Sequence, residues 1–96
     1  MISWVQYIEY SFDRNCLMII PGNGCSQIET ANWYYWLSKG IKKSLRSSFD
    51  IILKDMPDPD EAKQISWIPF IQTSIAWYKN KFLIGHSSGA ELLWDY

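Results

Sequence analysis

Ninety-six residues with nine Lys or Arg against ten Asp or Glu carry a net charge of -1, which leaves no excess of positive charge to draw nucleic acid or an anionic membrane. With 48% hydrophobic and 17% aromatic residues and six Trp, the composition is far from that of a disordered chain. A chain this short builds one domain at most, around a small core.

The opening segment 1–15, "MISWVQYIEYSFDRN", is aromatic and fits neither a helical nor an alternating period. It reads as an N-terminal extension of unknown role: an extra strand, a partner-binding arm or a non-native addition. It lacks the basic flank of a signal peptide, and the first apolar run, Cys16 to Ile20, is too short to span a bilayer. A soluble, cytoplasmic or otherwise intracellular protein is expected. Cys16 and Cys25 match no zinc spacing and no disulfide framework, so two reduced thiols are expected.

"CLMII" (16–20) is a strand with both faces covered, closed by a tight loop at Pro21-Gly22-Asn23-Gly24. From Thr30 a helix is predicted, because Trp33, Leu37, Ile41 and Leu45 recur every four residues while Lys39, Lys42, Lys43 and Arg46 make a solvated basic face. "FDIIL" (49–53) is a second strand. Asp58, Pro59 and Glu61 then form a helix-start signature, with Asp58 as the capping carboxylate. A helix carrying Trp67, Ile71, Ile75 and Tyr78 on one side follows, opened or kinked by Pro69. Asn80-Lys81 turns into the strand "FLIG". Short strands separated by helices predict βαβ units and a parallel sheet of about three strands in an α/β fold.

Gly85-His86-Ser87-Ser88-Gly89 matches G-x-S-x-G between that strand and a helix-forming run, the setting of a nucleophile elbow. Ser87 is the predicted nucleophile; Gly85 and Gly89 relieve crowding in a strained turn beside His86. The N–H of Ser88 would face a developing oxyanion. A second donor comes from the loop after an earlier strand in such folds, and the Gly22–Gly24 loop, with Asn23 as donor, holds that position. Trp67 is the candidate for a substrate pocket, with core packing as its default. No P-loop, G-x-G-x-x-G or H-E-x-x-H string occurs, so neither cofactor nor metal is expected.

Five strings in order, "MIIPGNG" (18–24), "WYYWL" (33–37), "DMPDP" (55–59), "SWIPF" (66–70) and "LIGHSSGA" (83–90), resemble the small α/β-hydrolases of the retinoblastoma-binding protein 9 family. The resemblance covers Leu17 to Tyr96. It departs at Cys25-Ser26, where the family continues with glycine, and over Met1 to Asn15, which has no counterpart. It implies a three-layer αβα fold in which 16–96 is the N-terminal half of an α/β-hydrolase domain, with the strand at 16–20 between those at 49–53 and 82–85. It also implies a serine hydrolase whose triad Asp and His come later in the family's longer chains. The family's name implies no partner here, since no L-x-C-x-E string is present.

The one histidine, His86, adjoins Ser87 and is poorly placed to take its proton. Asp55, Asp58 and Glu61 could be nominated as triad acids only with a histidine to orient. The expected function is therefore a serine hydrolase acting on ester or amide bonds through an acyl-enzyme on Ser87, with a small-molecule or peptide substrate, held as a fragment that is inert alone. The alternatives are a truncated product that binds protein, or itself, through an open sheet edge, and a truncated gene model with no separate function.

Overall fold

The computed structural model describes residues 14–45 and 49–94. Of the 1–15 extension only Arg14 and Asn15 are among them, and Arg46 lies outside. The elements run β1 (Asn15–Ile20), α1 (Tyr34–Leu45), β2 (Phe49–Ile52), α2 (Gln64–Ile75), β3 (Asn80–Gly85) and α3 (Ser88–Trp94). The three strands form one parallel sheet in the order β2-β1-β3, as the family resemblance implied. β1 pairs with β2 from Asn15↔Phe49 to Met18↔Ile52 and with β3 from Asn15↔Asn80 to Ile20↔Gly85.

Strand alternation sorts the core into two layers. Cys16, Met18 and Ile20 point to one face, where they meet Trp67, Ile71 and Ile75 of α2 and Leu92 of α3. Leu17 and Ile19 point to the other, against Tyr34 and Leu37 of α1. This is why "CLMII" is apolar without interruption: both sides of the central strand are covered. Each large side chain fully buried here contributes about 1.5–3 kcal/mol. Cys16 and Cys25 are buried free thiols in different layers, and burial raises both above the ordinary thiol range. Among the described residues no helix is long and apolar enough to cross a membrane.

Three local expectations are corrected. First, α1 starts at Tyr34, not Thr30; Asn32, at φ 54, interrupts the turn before it, and among the described residues the buried positions are Tyr34 and Ser38 rather than their neighbours Trp33 and Leu37. Second, Asp58 caps no helix. It sits at φ 45 and opens a single turn, Ala62 N–H to Asp58 C=O at 3.0 Å, which Ala62 itself ends at φ 51. Helix α2 begins at Gln64 with Lys63 in the cap position and no side-chain cap, while Glu61 pairs with Lys63 at 2.9 Å on the surface. An N-cap residue has extended backbone, and Asp58 is instead left-handed. Third, of the two roles expected for Pro69, opening α2 is excluded: it lies inside the helix, on the exposed side. The amide it lacks would have bonded Ile65, itself 83% exposed, so water can serve the orphaned carbonyl.

Candidate active site

At the carboxyl end of the sheet β3 leaves its last pairing through His86, whose N–H donates to the Ile20 carbonyl at 3.0 Å. The next residue, Ser87, stands at φ 57. A non-glycine residue there carries a cost of order 1–2 kcal/mol that the surroundings must impose. They do so immediately: Gly89 N–H donates to the His86 carbonyl and Glu91 N–H to the Ser87 carbonyl, both at 3.0 Å, starting α3. A Cβ on Gly89 would fall 2.4 Å from the Ile20 carbonyl oxygen, and one on Gly85 would fall 2.7 Å from Gly89 backbone atoms. The elbow is compact because nothing larger than hydrogen fits at its two ends. Ser87 is exposed, and among the described residues no hydrogen bond reaches its hydroxyl.

The loop after β1 lies against this turn. A Cβ on Gly22 would sit 3.1 Å from that of Ser87 and 3.5 Å from its Oγ. The loop's amides are spent unevenly. Gly22 N–H donates to the Tyr34 hydroxyl at 3.0 Å, and Gly24 N–H to the Pro59 carbonyl at 2.8 Å. The amide between them, Asn23 N–H, has no acceptor among the described residues, and neither has Ser88 N–H. The Asn23 side chain is occupied: its Oδ1 accepts from Ser88 Oγ at 2.9 Å, and its Nδ2 faces the Asp60 carbonyl at 3.4 Å. The turn at 58–62 thus holds the loop through Pro59.

His86 points away from Ser87. Its Nδ1 is 2.7 Å from the Tyr34 hydroxyl, and its ring is T-shaped to that of Trp33 at 5.0 Å between centroids. A cleft of about 200 Å³ opens beside Ser87, lined by Gly22, Asn23, Asn32, Tyr34 and His86. A second, of about 430 Å³, lies on the other side of the Asn23–Ser88 bond, between Glu61, Gln64, Glu91, Leu92 and Trp94.

No family model matches the chain. A protein of Rattus norvegicus, Serine hydrolase RBBP9, is 40% identical to it over 73 residues, which are 76% of this chain and 38% of the rat protein. The chain belongs to the RBBP9-like family. It spans well under half the length of that relative, and what an RBBP9-like chain of this length holds is the turn, the loop and the clefts just described.

Ser87, Ser88, Asn23, Gly22, Gly24, Gly85, His86 and Gly89 are therefore brought together. Trp67 is not. It is 0% exposed, its indole N–H donates to the Pro57 carbonyl at 2.6 Å, and it lines neither cleft. As a pocket candidate it is corrected to a core residue of α2. Of the carboxylates weighed as triad acids, Asp55 accepts from Ile28 N–H at 2.7 Å. Two participants were missed. Tyr34 was read only as part of a helix; the signal was that a buried tyrosine needs a partner for its hydroxyl. Pro59 was read as a helix opener, and nothing local in the sequence marks its carbonyl as the acceptor for Gly24.

Proposed function

We propose that Ser87 is the nucleophile of a serine hydrolase that cleaves ester or amide bonds through an acyl-enzyme. The observation that carries this reading is a serine at φ 57 on a strand-to-helix turn, beside a loop with one unspent amide. The Ser87 Oγ attacks the carbonyl carbon, its proton passes to a base, and the oxyanion that forms is held by the N–H groups of Asn23 and Ser88. Collapse expels the alcohol or amine, and water then releases the acyl group. Both donors are backbone amides, so the pair costs no side-chain reorganisation as charge develops.

His86 is not the base in this reading, because its ring is turned to Tyr34 and among the described residues no hydrogen bond joins it to the Ser87 hydroxyl; the chain has no other histidine. The acid and base of the triad would be supplied by polypeptide outside these residues. Loss of the histidine costs a serine protease about 10⁶ in turnover, so the 96 residues alone are expected to be nearly inert. The test is a transcript read past codon 96 for a downstream Asp and His, followed by fluorophosphonate labelling of the protein it encodes. Labelling that is lost in Ser87→Ala supports the reading. A protein that never labels, or labels equally after the substitution, defeats it.

One observation favours a second reading, a protein-binding module. Among the described residues β3 pairs only with β1, and Phe82 on it is 50% exposed. An unpaired edge of this kind adds strands from other chains. Size-exclusion chromatography separates the two: a monodisperse monomer without a partner counts against the module.

A further inference from the structure

We propose that Tyr34 is a positioning residue of this site, a clamp whose hydroxyl accepts from Gly22 N–H, donates to His86 Nδ1 and so fixes His86 as its Nε2–H tautomer. The inference deepens the hydrolase reading and rests on it for its catalytic part only; the hydrogen-bond assignment stands on geometry.

The assignment follows from counting donors. Tyr34 is 2% exposed, with Oη 3.0 Å from Gly22 N and 2.7 Å from His86 Nδ1. An amide N–H can only donate, so Gly22 takes a lone pair of the phenol oxygen. The phenol has one hydrogen left to place, and His86 Nδ1 is the acceptor in reach among the described residues. With the proton on Nδ1 instead, two donors would converge on Oη and the buried phenol hydrogen would have no acceptor. A buried hydroxyl hydrogen left without an acceptor is rare in native proteins.

The clamp acts on both halves of the site. It draws Gly22 N–H toward α1, which leaves Asn23 N–H as the loop amide open to a ligand. It holds the residue before Ser87 by its ring, while the backbone N–H and C=O of the same residue are held by Ile20 and Gly89. The Trp33 ring stands T-shaped to that of His86, 5.0 Å between centroids. His86 is therefore a strut between α1 and the elbow, and Tyr34 sets the spacing of loop and elbow to which an oxyanion would be sensitive.

The experiment is long-range proton–nitrogen correlation NMR on the ¹⁵N-labelled protein, with the His86 ring assigned by its loss in His86→Gln. The expected pattern is a bare Nδ1 and a protonated Nε2, with Nδ1 moving further downfield in Tyr34→Phe as its hydrogen bond goes. A protonated Nδ1 in the unsubstituted protein overturns the clamp even if Tyr34→Phe fails to fold, and so does an unmoved Nδ1 in a folded variant. In protein that labels at Ser87, Tyr34→Phe should lower kcat on the order of tenfold with KM nearly unchanged, short of the 10²–10³ lost with an oxyanion donor itself. A fall in melting temperature with kcat intact would leave Tyr34 a merely structural residue and overturn its positioning role. Absent labelling of the protein encoded by the longer transcript, together with an Nε2–H His86, would overturn the hydrolase reading and leave the hydrogen-bond assignment standing. Normal labelling with a protonated Nδ1 would do the reverse.

Discussion

The two ends of the sheet are built to different purposes. Every positive-φ residue described, Gly24, Asn32, Asp58, Ala62 and Ser87, lies in a loop that follows the carboxyl end of a strand. At the amino end the polar groups bind the strands to one another. Asp50 accepts two bonds from Arg14, at 3.1 and 2.6 Å, on one oxygen and one from the Tyr78 hydroxyl, at 2.9 Å, on the other. Asn80 donates to Asn15 at 2.7 Å, and Lys79 N–H to the Arg14 carbonyl at 2.8 Å. The amino end gathers β1, β2 and the approach to β3 with satisfied, unstrained groups. The carboxyl end keeps two amides unspent and a strained serine, the usual division in open parallel sheets, where ligands bind beyond the carboxyl ends of the strands.

That division predicts that damage at one end is read as lost activity and damage at the other as lost stability. The largest effect is at Ser87: in a protein with a complete triad, Ser87→Ala should lower turnover by about 10⁶ with melting temperature unchanged or raised, since alanine removes the hydroxyl but not the fold. A large drop in stability would break the contrast. Next is Gly89→Ala, whose Cβ would meet the Ile20 carbonyl oxygen at 2.4 Å. Overpacking against backbone is expected to cost about 3 kcal/mol or more, measured by urea unfolding, and to abolish labelling through misplacement of Ser87.

At the other end, Asp50→Asn should cost only about 1 kcal/mol, because the Arg14–Asp50 pair is exposed enough for water to screen it, and should leave labelling intact. The smallest effects are in the pH dependence of stability. The hydrogen bond from Arg14, chiefly, holds the Asp50 carboxyl below its ordinary 3.8. Its contribution is therefore present above that value and lost as pH falls through the depressed one. Tyr78 is pushed up from 10.0 to about 12, by burial first and by its bond to Asp50 second, so its contribution is whole below pH 10 and lost as pH rises toward 12. Thermal unfolding across pH should show both limbs, the acid one flattening in Asp50→Asn and the alkaline one in Tyr78→Phe.

The legible parts of this chain were those written in short-range pattern. β1 shows as an unbroken apolar run because both its faces are covered, and the elbow shows because steric crowding admits only glycine at Gly85 and Gly89. The parts that misled depend on groups far apart in sequence. Asp58, Pro59 and Glu61 carry the letters of a capped helix, yet the turn they form is used to hold Gly24, 35 positions before Pro59. Tyr34 and His86 stand 52 residues apart, and no periodicity links them. Trp67 was offered as a pocket wall because tryptophan suits both cores and clefts; its bond to Pro57 decides for the core.

Gly89 packs against the last carbonyls of β1 with no room for a single methyl group, and this ties together segments that the chain visits nearly seventy residues apart. Loop and elbow cannot open separately, because either one swinging out would strip the other of its backbone neighbour. The amide hydrogens of Gly22, His86 and Gly89 should accordingly exchange with solvent as one cooperative block, at a common opening free energy, and not as three independent local fluctuations.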